Sequence, residues 1–209
     1  MPRAKKSSAR PRRSPVAAAP ARPVSAAPGA ALLAVDLQDT LLGILPPAAA
    51  RELRARVGLA LSAAVGLGIP VYFTEQVPEK LGPTAAALRK LAPDAAVFAK
   101  GTFSALADSE LRSALREEQI EHLLVVGLET PICVYQSALG ALAEGIQVTV
   151  LSDAVAARRA DDHAACLAAL RHAGVHVLPT ETVLYALLHD AGHPFFRTLV
   201  GLVKAAAKP

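Results

Sequence analysis

The stretch Ala31-Leu32-Leu33-Ala34-Val35-Asp36 decides the fold. Five apolar residues run without interruption and end in an acid. A strand with one wet face alternates in polarity, so a continuous run of this length reads as a strand buried on both faces. Similar runs recur at 69–73, 95–99, 123–126, 146–151 and 175–178. Helix-like segments separate them, at 48–66, 84–91, 105–119, 131–144, 160–173 and 180–189, with a terminal helix possible over 194–207. Gly145 and Gly174 stand where helix C-caps belong, just before strands. Strands alternating with helices imply a mostly parallel six-stranded sheet covered on both faces, a three-layer α/β/α domain.

The composition agrees. Of 209 residues, 53% are hydrophobic and 19% charged, enough to bury a core and to exclude wholesale disorder. Aromatic residues are only 4% and Trp is absent, which argues against a stacking platform for nucleic acid or sugar. No apolar stretch is long enough to span a membrane. The net charge of +4 hides a division. Residues 1–28 carry seven basic groups and no acid, in an Ala/Pro-rich segment expected to be a disordered tail. Residues 29–209, read as the folded domain, hold 15 basic and 18 acidic groups, which gives no sign of a nucleic-acid partner. Two cysteines, Cys133 and Cys166, form no disulfide framework, and no secretory signal is evident, so a reducing cytoplasm is expected.

In an open parallel sheet, ligands bind beyond the carboxyl ends of the strands. Three reactive side chains are expected there. Asp36 follows the first run, Lys100 the third, and Cys133 lies seven residues past the fourth. A thiol attacks carbon as thiolate. A helix start after Pro131 and the Lys100 ammonium are both expected to favour that thiolate. Asp36 suits the role of a base that takes the thiol proton and later hands it to a leaving amine. Backbone N–H groups in the turn before the helix suit an oxyanion. Each residue also has an ordinary reading: a turn cap, a solvated strand end, an inert core thiol.

The blocks Val35-Asp36-Leu37-Gln38, Lys100-Gly101-Thr102-Phe103-Ser104-Ala105 and Gly127-Leu128-Glu129-Thr130-Pro131-Ile132-Cys133-Val134 resemble the three signatures of the isochorismatase-like hydrolases, the cysteine hydrolase family. The stretch Phe73–Thr84 and His193-Pro194-Phe195-Phe196 resemble the branch of isochorismatase domain-containing proteins. The resemblance covers about residues 30–205. It implies an Asp–Lys–Cys triad of Asp36, Lys100 and Cys133. It also implies a non-proline cis peptide at Leu128–Glu129 and an oxyanion site from the N–H groups of Glu129 and Cys133. The activity implied is hydrolysis of a small amide or related carbonyl compound through a thioester. No metal or organic cofactor is expected, because Thr74–Lys80 lacks the His residues with which nicotinamidases of the superfamily bind metal. Gln38, Glu75, Gln76 and Phe103 are candidate pocket residues. Homo-oligomers are common in the family, and residues 199–203 suit an interface. A binding or scaffolding module that keeps the fold with little turnover is the alternative.

Overall fold

A computed structural model describes residues 29–207; the basic segment 1–28 lies outside the described residues. Six strands form one sheet: β1 (Ala30–Val35), β2 (Val71–Gln76), β3 (Ala96–Lys100), β4 (His122–Gly127), β5 (Gln147–Val155) and β6 (His176–Leu178). Their order is β3-β2-β1-β4-β5-β6 and every pairing is parallel. The α-helices among the described residues are α1 (Asp39–Leu42), α2 (Pro47–Gly66), α3 (Pro78–Leu81), α4 (Ala86–Arg89), α5 (Ser109–Glu117), α6 (Tyr135–Ala143), α7 (Ala160–His172), α8 (Thr180–Leu188) and α9 (Phe196–Ala206).

All six residues of β1 are buried, as a central strand covered on both faces requires. Its side chains divide by parity. Leu32 and Ala34 join Phe73, Leu124 and Val126 in a core under α2, α8 and α9. Ala31, Leu33 and Val35 join Leu123, Val125 and Val150 in a second core under α5, α6 and α7. The three layers follow from that division. α2 starts on Pro47, whose missing N–H is unneeded in a first turn. No described helix is long and apolar enough to cross a membrane.

Several expectations need correction. The third run is not buried on both faces. β3 is an edge strand, and Ala96, Val97 and Ala99 are exposed. β2 runs to Gln76, so Glu75 and Gln76 are strand residues rather than loop residues. The 84–91 helix shrinks to the single turn α4. A π-helical turn, Thr130–Val134, precedes α6, so Cys133 is not in the first turn of an α-helix. The terminal helix forms as α9, with Leu199 buried against the body and Val200, Leu202 and Val203 partly exposed.

Strand order fixes where a ligand belongs. The chain lays β2 and β3 on one side of β1, then crosses to lay β4, β5 and β6 on the other. The reversal opens a crevice between the carboxyl ends of β1 and β4. Gly127 ends β4 there at φ 126, and a Cβ on it would overlap the Val35 carbonyl oxygen. Gly127→Ala is therefore expected to destabilise the protein by about 2–4 kcal/mol and to lower Tm by about 5–15 °C. Gly201→Ala in α9, where a Cβ meets nothing within 4 Å, should leave Tm unchanged or raise it slightly. Calorimetry of both variants checks the contrast.

Candidate active site

Asp36 is the first residue past β1. It turns the chain at φ 52, a left-handed conformation that Asp tolerates better than most residues. Its N–H donates to the Thr74 carbonyl at 3.0 Å. Thr74 returns the contact, its hydroxyl donating to Asp36 Oδ1 at 2.8 Å. Lys100 ends β3, two strands away, or about 10 Å at ordinary strand spacing. Only a long side chain spans that gap. Lys100 Nζ reaches Asp36 Oδ2 at 2.7 Å, and the two side chains are 1% and 0% exposed. The ammonium also donates to Gln76 Oε1 at 2.6 Å and to the Thr102 carbonyl at 3.3 Å.

Cys133 arrives from the other side of the crevice on the π-helical turn. Glu129 O accepts from the N–H of Ile132 and of Val134, which shapes the turn. Pro131 costs this turn no donor that it uses. The Leu128–Glu129 peptide is cis and Thr130–Pro131 is not. The N–H of Glu129 has no acceptor among the described residues. Cys133 Sγ lies 3.8 Å from Gln76 Oε1 and is buried. Burial first, and then the neighbouring Asp36 carboxylate, push the thiol up to about 12 against the downward pull of Lys100.

This corrects the expectation of a thiolate at rest. The ammonium meant to stabilise it is already held by Asp36 and Gln76. Burial and the Asp36 carboxylate thus favour the protonated form of Cys133.

The structure thus brings Asp36, Lys100 and Cys133 together, and Gln76 with them. It assigns Gln38 and Glu75 a different task. Gln38 donates to the carbonyls of Gln76 and Gly82 and accepts from the Gln76 N–H, which uses both ends of its amide. Glu75 Oε1 accepts from the N–H and hydroxyl of Thr84. Together they pin a strap, residues 77–84, across the ends of β1 and β2. That occupies the Gln38 amide at both ends and one carboxylate oxygen of Glu75. Phe103 is 53% exposed on the loop after Lys100.

Sequence reasoning missed Thr74 and His163. His163 Nδ1 lies 2.9 Å from Thr130 Oγ1 and steadies the cysteine loop from α7. Glu129 does so too, its Oε1 accepting from the Arg158 N–H at 2.9 Å. The residue Thr74 adjoins the quoted Glu75-Gln76 pair, which was the available signal; nothing local marks His163. Among the described residues no group of three or more His, Cys, Asp or Glu gathers to hold a metal. A cavity of about 750 Å³ lies apart from the sulfur, lined by His122, Gln147, His176 and α8.

Iodoacetamide alkylation of Cys133, followed by mass spectrometry, should therefore be slow at pH 7 and climb through the alkaline range. Asp36→Asn removes the negative charge beside the sulfur. It should move the midpoint down by about one unit or more, and an upward shift would contradict the geometry.

The isochorismatase domain matches residues 30–182. A secreted isochorismatase effector of Phytophthora sojae is 34% identical over 152 residues, which are 71% of this chain and 72% of that protein. Among solved structures, the MAR1 ribonuclease of Caenorhabditis elegans is similar at TM-score 0.80 and 27% identity, over 87% of this chain and 93% of its own. The YcaC gene product of Escherichia coli, an octameric hydrolase of unknown specificity, is similar at TM-score 0.75 and 23% identity, over 85% and 86%. The fold, the crevice between β1 and β4 and the match over most of the chain agree: this protein belongs to the isochorismatase family.

Proposed function

We propose that the protein is a cysteine hydrolase that cleaves a small amide, or a related carbonyl compound, through a thioester on Cys133. One observation carries the reading: the buried Asp36–Lys100 pair and the buried Cys133 converge at the reversal of strand order. A buried ion pair is weak support for stability, because an apolar replacement does as well or better. Its place beside a thiol supports a chemical role.

The steps follow from the geometry. The Cys133 S–H bond breaks and its proton passes to Asp36, whose oxygens keep lone pairs beyond those that Thr74 and Lys100 use. The sulfur electrons form an S–C bond to the substrate carbonyl. The oxyanion is received by the N–H groups of Glu129 and Cys133. The C–N bond then breaks and the amine leaves with the proton from Asp36. Water attacks the thioester and gives Asp36 a proton. The C–S bond breaks, the acid departs and the thiol recovers its proton. Lys100 holds Asp36 in place and offsets negative charge through both halves. Metal and organic cofactors have no part in these steps.

A small uncharged substrate suits a thiol buried this deeply better than a polyanion does. The domain's 15 basic against 18 acidic groups also give RNA little electrostatic purchase. Free Cys133 and Cys166 support a reducing, cytoplasmic setting. Assembly with further copies of the chain is part of the same proposal.

The test is ammonia release from a panel of small primary amides. Cys133→Ser and Asp36→Asn should each lower kcat/KM at least about 10²-fold. Turnover that survives Cys133→Ser contradicts the thioester. A folded wild-type protein that turns over no amide returns the domain to the scaffolding alternative.

A further inference from the structure

Gln76 stands between the two charged groups and the sulfur. It ends β2 directly in register with Lys100 on β3. Its side chain is clamped at both ends. Nε2 donates to the Gly101 carbonyl at 3.2 Å, and Oε1 accepts from Lys100 Nζ at 2.6 Å. The Lys100 contact fixes which end of the amide faces the sulfur, because an ammonium only donates. Its backbone is clamped as well, with N–H and carbonyl both bonded to the Gln38 amide. The fifth contact is the Cys133 thiol, donating to the same Oε1 at 3.8 Å.

Resting on the thioester reading, we infer that Gln76 is a positioning residue that holds the Cys133 thiol protonated until substrate is bound. With Gln76 Oε1 as the resting acceptor of the thiol, the base that must take its proton is Asp36. Proton transfer therefore begins with rotation about the Cβ–Sγ bond, from one acceptor to the other. Gln76 acts on the thiolate in two ways. The negative end of its amide dipole faces the sulfur. It also draws Lys100 toward itself, so that less of the positive charge acts on the sulfur. Both effects disfavour a free thiolate in an empty site, and a thiolate that forms only with substrate present is guarded from stray electrophiles and oxidants.

The Gln38 amide extends this arrangement to the strap, since its Nε2 bonds both the Gln76 carbonyl and Gly82. The charged groups near the sulfur are Asp36 from the end of β1 and Lys100 from β3. Glu129 lies in the sulfur's own loop with its Oε1 bonded to Arg158, and His163 of α7 is bonded to Thr130.

The test is the pH midpoint of Cys133 alkylation by iodoacetamide in two variants, with Cys166 as internal reference. Gln76→Leu removes the acceptor and frees Lys100 toward the sulfur, so the midpoint should fall by about one unit. Gln76→Glu is close in shape, keeps an acceptor for Lys100 and adds a negative charge, so the midpoint should rise by a similar amount. A merely structural glutamine gives shifts of one sign, or none. A Cys133 that titrates but ignores both substitutions, or moves the same way in both, overturns the inference and leaves the hydrolase reading standing. Small-amide turnover that survives Cys133→Ser overturns the hydrolase reading and the inference with it.

Discussion

A carboxylate and an ammonium 2.7 Å apart, sealed from water, are the constraint around which this site is arranged. Each charge alone would cost several kcal/mol to bury, so neither side chain can be where it is without the other. Their meeting requires β1, β2 and β3 in parallel register. It requires the left-handed turn at Asp36, which brings the carboxylate to the strand ends. It requires Thr74 and Gln76 on the intervening strand, which give each charge a further hydrogen-bond partner. β2 is more than a spacer: its alternate inward residues provide two of the polar partners of the pair.

The sulfur comes from the opposite half of the sheet. The chain crosses from β3 to β4 by way of α5, and the crevice this leaves is where the π-helical turn sets Cys133. Two halves of one sheet thus contribute one reactant each. In the proposed reaction the half with β1 to β3 would hold the proton-transfer pair, and the half with β4 to β6 the nucleophile and its N–H donors. Thr130, Glu129 and Gly127 are tied to α7 and to the segment after β5, through His163, Arg158 and Ala156. That support keeps the nucleophile's loop in position without touching the reacting atoms.

Much of this was legible in the sequence. Unbroken apolar runs marked the buried strands, because a strand with no wet face has no reason to alternate. The three reactive residues were legible because parallel strands deliver whatever follows them to one rim. Other features were not legible. Val97 and Ala99 read as buried, yet their strand is an edge; hydrophobicity does not say which strand is outermost. Gln38 and Glu75 read as pocket groups, yet their partners Gly82 and Thr84 bend back over them, a contact that no local pattern announces. The protonation state of Cys133 was inverted for a similar reason. The nearness of Lys100 was foreseeable; its prior commitment to Asp36 and Gln76, and the depth of burial, depend on the assembled site.

The central claim is that Cys133 becomes covalently acylated by a carbonyl substrate. Intact-mass spectrometry of the protein mixed with small amides at millisecond to second delays, quenched in acid, tests it most directly. The account predicts a transient mass increase equal to the acyl group, mapped to Cys133, removed by hydroxylamine and absent in Cys133→Ser. Turnover with no adduct at any delay, together with an adduct-free Asp36→Asn protein that still hydrolyses the substrate, would contradict it.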